Sequence, residues 1–87
     1  MTSIESIRVF VVAVRKGSLT VASRSLRMSN STISRRISAL EKELEVQLVD
    51  RTSRRFQLTE AGAAFLPRAE DALEAVALAE EAARSTR

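Results

Sequence analysis

The chain has no cysteine and no histidine. That removes thiol chemistry, disulfides, imidazole acid/base catalysis and zinc sites built on either residue. Its only glycines are Gly17 and Gly62, so it has no glycine-rich loop able to cradle a phosphate. With carboxylates placed mainly on helix faces expected to be exposed, an enzyme has little to work with, and neither a catalytic residue nor a cofactor is expected. No apolar run approaches the roughly 20 residues of a membrane span, and Arg8 interrupts anything like a signal-peptide core. A soluble, cytoplasmic protein is expected.

Negative charge is also missing from a long stretch. No acid lies between Glu5 and Glu41, whereas Arg8, Arg15, Lys16, Arg24, Arg27, Arg35 and Arg36 all do. Residues 1–60 carry a net charge of +5 and residues 61–87 a net charge of −2. This asymmetry points to an anionic partner for the first part and another task for the tail. Taken alone, it is equally the mark of a solvated basic surface.

A length of 87 residues suits one small domain with one core. Thr2 and Glu5 fit a capping box, and Ile4, Ile7, Phe10, Val11 and Val14 recur at helical spacing up to Gly17, predicting a first helix over 3–16. Ser18 or Thr20 can cap a short second helix over 19–26, with Leu19, Ala22 and Leu26 inward. Ser29 or Asn30 then caps a third helix over about 30–45, whose Ile33, Ile37, Leu40 and Leu44 make a one-sided apolar stripe. Ser31, Thr32, Ser34, Arg35, Arg36 and Ser38 are left outward.

After Glu45 the period changes. Val46, Leu48 and Val49 predict a short strand, 50–55 an arginine-rich turn, and Phe56 and Leu58 a returning strand. Thr59 caps a final helix from Glu60 to about residue 85, too long to pack fully on so small a body. Leu66, Ala69, Leu73 and Val76 fall near a heptad seam that calls for a second chain, and Pro67 predicts a bend near 63–67.

These pieces assemble into a mainly α winged helix-turn-helix. Three helices and a two-stranded β-hairpin wing occupy residues 1–59, and a linker helix for dimerisation occupies 60–87. The third helix begins with small, uncharged hydrogen-bonding residues that let a backbone approach DNA closely, and its free N–H groups favour phosphate. Arg35 and Arg36 follow one turn later with the reach for a base edge or a phosphate. Each group alone has a plainer explanation: an N-cap cluster at Ser29–Thr32, a solvated face at Arg35–Arg36, a polar turn at Arg51, Arg54 and Arg55. Their combination on one side of such a fold favours DNA.

Residues 10–62, "FVVAVRKGSLTVASRSLRMSNSTISRRISALEKELEVQLVDRTSRRFQLTEAG", closely resemble the N-terminal DNA-binding domain of the LysR-type transcriptional regulators. The resemblance rests on Phe10, Ala13, Gly17-Ser18, Ala22, Leu26, Ser29, Ser34, Ile37, Leu40-Glu41, Leu44, Leu48, Arg51 and Leu58-Thr59-Glu60-Ala61-Gly62, without gaps. It implies a bacterial regulator that reads an interrupted palindrome in double-stranded DNA as a homodimer through the linker helix, with higher oligomers in a full-length protein. The third helix would enter the major groove and wing residues 50–55 would meet the adjacent minor groove or backbone. Carried over by position, the base-contacting candidates are Asn30, Ser31, Thr32, Ser34 and Arg35. The wing candidates are Arg51, Arg54 and Arg55, and Ser18 and Thr20 match positions that touch phosphate. A small-molecule effector would bind a C-terminal domain that begins where this chain stops, as expected of an excised domain. No metal or membrane contact is implied.

Four positions depart from the family pattern. Asn30-Ser31 stand where Gln followed by Pro or Ser is usual; Asn still pairs with adenine, and a changed preference is expected. Glu45 replaces a usual Gly, a strain of roughly 1 kcal/mol if the backbone there has positive φ. Val49 for Phe and Ser23 for Ala imply an altered core beneath the wing. The competing reading is a protein-interaction module in which the long helix does the work and the basic body is incidental.

Overall fold

The computed structural model describes residues 2–51 and 56–86. It contains α1 (Ile4–Lys16), α2 (Leu19–Leu26), α3 (Asn30–Leu44), β1 (Val49–Asp50), β2 (Gln57–Leu58) and α4 (Glu60–Arg84) in that order. This is the winged helix-turn-helix with a long final helix that the sequence pattern implies.

Each helix starts on a hydroxyl. Ser3, Ser18, Ser29 and Thr59 accept hydrogen bonds from the N–H groups of Ser6, Val21, Thr32 and Gly62, satisfying donors that have no partner inside the helix. The first cap corrects the Thr2–Glu5 box: Ser3 bonds both the Ser6 N–H and the Ser6 hydroxyl, which sets the helix one residue later. Ser18 and Ser29 take the capping roles for which Thr20 and Asn30 were alternatives.

Three helices end in the left-handed region, at Gly17 (φ 68°), Arg27 (φ 56°) and Glu45 (φ 57°). At the end of α3 the Glu45 N–H bonds the Lys42 carbonyl and the Val46 N–H bonds the Glu41 carbonyl, a paired closure that satisfies two terminal carbonyls. This closure corrects the predicted first strand. Val46 is spent on ending the helix and is 42% exposed, Leu48 is buried in the following loop, and pairing begins only at Val49. The hairpin is antiparallel, with Val49 opposite Leu58 and Asp50 opposite Gln57.

The core forms where α1 is sandwiched. Val9, Phe10, Val11 and Ala13 meet Ala22 of α2, Ile33, Ile37 and Leu40 of α3, Leu48 and Val49 before and in the wing, and Ala69 of α4. Phe10 and Phe65 pack edge to face with centroids 5.5 Å apart. Full burial of an Ile or Leu stabilises by about 1.5–3 kcal/mol, so Ile33, Ile37 and Leu40 anchor α3 firmly while leaving its start free. Leu44, expected on the same stripe, lies where the helix runs past the core and stays exposed.

The start of α4 is locked to the wing base. Thr59 Oγ1 donates to the Gln47 carbonyl (2.6 Å) and its N–H donates to the Leu48 carbonyl (3.0 Å). Gly62 lies against that carbonyl so closely that a Cβ there would stand 2.0 Å from the oxygen. Glycine is needed at this position for space. From there α4 runs unbroken through Pro67, and Arg15 Nη2 reaches Glu70 Oε2 at 3.0 Å, tying α1 to it.

The residues expected on the dimer seam differ in how far they are buried within the subunit. Ala69 is only 2% exposed and is consumed within the subunit, while Leu66 and Leu73 pack against the same core. The stripe first opens to solvent around Val76, which is half-buried, while Leu78, 62% exposed, is a second outward apolar side chain on another face of the same segment. Among the described residues no helix is long and apolar enough to cross a membrane.

Candidate nucleic-acid interface

An open groove of about 1010 Å³ joins three elements, with Ser18 and Thr20 from the start of α2, Asn30 from the start of α3, and Asp50, Arg51 and Gln57 from the wing on its lining. Residues far apart in sequence are thus gathered at the amino ends of two helices, where unpaired N–H groups favour an anion. Asp50 is the acidic residue of this lining among the described residues.

The tip of α3 is a hydroxyl cluster. Ser29 Oγ accepts from the Thr32 N–H (3.1 Å) and shares hydrogen bonds with Thr32 Oγ1 (2.8 Å) and Ser31 Oγ (3.1 Å). Ser29 and Thr32 are therefore held in the cap and the exposed Ser31 hydroxyl is bonded to Ser29, beside the exposed Asn30. Ser34 is half-buried. Arg35 Nη2 donates to Thr32 Oγ1 at 3.4 Å, and among the described residues neither Arg35 nor Arg36 has an ion-pair partner. Two arginines one turn behind a polar tip thus carry charge without an ion pair among the described residues, Arg35 exposed and Arg36 half-buried.

Arg51 is different. Its Nη2 donates to Glu41 Oε1 at 2.6 Å and to Ser38 Oγ at 3.2 Å, both on α3. Glu41 is 6% exposed, and its other oxygen, Oε2, accepts from the backbone N–H groups of Leu48 (2.7 Å) and Val49 (3.1 Å). Burial alone would raise the Glu41 pKa. The Arg51 hydrogen bond, the two backbone donors and the Arg51 charge outweigh that and hold it below the ordinary carboxylate value. One carboxylate thus connects α3, the loop after it and the start of the wing.

Glu41 was missed as a site residue from sequence, although a signal existed: it follows Leu40 and falls four residues after Ile37, on the apolar stripe. An acid there needs a buried partner. Arg54 and Arg55, the other two wing candidates, lie outside the described residues.

The family profile described as "Bacterial regulatory helix-turn-helix protein, lysR family" matches residues 4–63. The chain belongs to this family. The LysR-family match includes the HTH-type transcriptional regulator CrgA of Neisseria meningitidis serogroup C, 43% identical over 79 residues, which are 91% of this chain and 26% of that protein. The chain thus spans about a quarter of that relative's length. Among solved structures, the BenM DBD in complex with catB site 1 DNA superposes with a TM-score of 0.92 at 31% identity, covering 97% of this chain and 94% of that one. Full-length CbnR complexed with its target DNA gives 0.86 at 30% identity, covering 97% of this chain and 28% of that chain.

This LysR-family domain therefore has its left-handed residue Glu45 in the very conformation that the usual glycine would favour. Ser23 donates from Oγ to the Thr20 carbonyl (2.8 Å), which uses up the hydroxyl that replaces the usual Ala on a half-buried face.

Proposed function

We propose that this chain is the sequence-specific DNA-binding domain of a bacterial transcription regulator. α3 enters the major groove with Asn30, Ser31 and Arg35 toward base edges, with Arg36, Ser18 and Thr20 toward phosphates, and with the wing on the neighbouring backbone or minor groove. The observation that carries this is the groove that brings the amino ends of α2 and α3 together with Arg51 of the wing. BenM DBD and CbnR, similar in structure to this chain and solved with DNA, support a DNA-binding reading. The distal half of α4, where Val76 and Leu78 turn outward, is the segment through which two copies pair. A dimer of this kind reads two half-sites of an interrupted palindrome.

Selection of duplexes from a random pool tests the reading. A single enriched motif with two related halves is expected, with log affinity falling linearly in log salt concentration as phosphate contacts are neutralised. Asn30→Gln should change the preferred base at one position of each half-site while leaving the salt slope alone. Recovery of no motif, or an affinity indifferent to salt, would refute it.

A further inference from the structure

We propose that Glu41 is a positioning residue for DNA recognition: acting from inside the domain, it aims Arg51 at the DNA backbone and fixes the wing relative to α3. The inference rests on the DNA-binding reading above. A guanidinium has five N–H donors, and both of those on Arg51 Nη2 are engaged, one by Glu41 Oε1 and one by Ser38 Oγ. The Nε and Nη1 donors have no partner among the described residues and lie on a side chain that is 42% exposed, beside the groove that Asn30 also lines. Arg51 is therefore clamped at one nitrogen and open at the others. Two partners on α3 hold it, so a phosphate bonded by Nε or by Nη1, which open on different edges of the guanidinium, is registered directly against α3.

Glu41 does this with a carboxylate whose second oxygen is occupied by the Leu48 and Val49 N–H groups. The same side chain thus sets where the wing begins and where its first arginine points. An arginine without this clamp would keep its charge and its attraction to any DNA. It would lose the fixed geometry that makes one register better than its neighbours.

Glu41→Gln isolates the contact. A glutamine carbonyl can still accept from Leu48 and Val49, but its amide group meets Arg51 donor to donor. The probes are the duplex that the wild-type chain enriches from a random pool and a scrambled duplex of equal length. Glu41→Gln should weaken binding to the enriched duplex by about tenfold while affinity for the scrambled one stays level or rises, since a negative charge has been removed. Arg51→Ala should weaken both and reduce the salt slope by about one. In the Arg51→Ala background, adding Glu41→Gln should cost no further affinity for the enriched duplex, because the residue acts through Arg51. A full second loss in that background would show Glu41 to be merely structural and overturn the inference, as would wild-type discrimination by Glu41→Gln. If Glu41→Gln does not fold, Arg51→Ala, at a half-exposed side chain, decides: wild-type affinity and slope would overturn it. A wild-type chain that enriches no duplex would instead bring down the DNA-binding reading itself.

Discussion

Replacing Glu45 by glycine should stabilise the domain, although the substitution removes every side-chain atom. Glu45 closes α3 at φ 57° and ψ 37°, where a residue bearing a Cβ is about 1–2 kcal/mol less stable than in the right-handed region. Glycine removes that strain and adds about 0.5–1 kcal/mol of backbone entropy to the unfolded chain. The carboxylate also sits at the negative end of the α3 dipole, an unfavourable placement of about 0.3–1 kcal/mol at low salt. The net expectation for Glu45→Gly is a gain of about 1 kcal/mol, which in a chain of this size raises Tm by roughly 4–8 °C. Glu45→Ala separates the two causes. Alanine keeps the Cβ, so it recovers only the charge contribution, and that part should fade in 1 M salt while the glycine advantage persists. Urea titrations of the three proteins at low and high salt measure both. Equal stabilisation by alanine and glycine, or a glycine gain abolished by salt, would refute the backbone explanation.

Gly62→Ala should cost about 3 kcal/mol or more, because the added methyl meets the backbone carbonyl of Leu48 rather than a side chain that could swing aside; a urea midpoint at the wild-type value would contradict this. Acid should weaken the fold through Glu41. Its folded pKa lies below the ordinary value of 4.5, so the unfolded chain binds more protons, and this stabilisation is fully present above that value and lost as pH falls through the folded pKa. Glu41→Gln should flatten that limb of the stability-against-pH curve measured by thermal melts. Leu78→Glu should leave the melting temperature near wild type and shift sedimentation toward monomer, since Leu78 is 62% exposed; an undisturbed dimer would put the contact elsewhere.

Local pattern revealed most of the fold because most of it is built from local contacts. The stripe of Ile33, Ile37 and Leu40, the hydroxyls at each helix start and the alternation after Glu45 each follow from spacing and side-chain chemistry over a few residues. The errors lie where one residue serves two elements. Val46 has the composition of a strand, but its N–H is drawn back to the Glu41 carbonyl, so the helix ending takes precedence over the strand start. Arg27 in the left-handed region had no composition signal, since glycine or asparagine is what normally marks such an end. For the candidate site, the polar tip of α3 and its two arginines were visible in the sequence. The clamp of Glu41, Ser38 and Arg51 was not, because it spans the turn between helix and wing.

The linker helix shows what periodicity can and cannot decide. Leu66, Ala69, Leu73 and Val76 do form one apolar stripe, and the spacing that identifies it is the same whether the covering surface belongs to the same subunit or to another. Burial distinguishes them. Phe65 and Ala69 lie against α1, Gly62 lies on the Leu48 carbonyl, and Arg15 is bonded to Glu70, so the first part of α4 is fixed to the body. Only beyond Leu73 does the stripe lose its internal partner. A helix attached rigidly at one end and unpartnered at the other transmits orientation: pairing at Val76 and Leu78 would fix the direction of α1, and through the shared core the direction of α3. The angle between two recognition helices would then be set by packing at Phe10, Phe65 and Ala69, residues of the core and not of the groove lining.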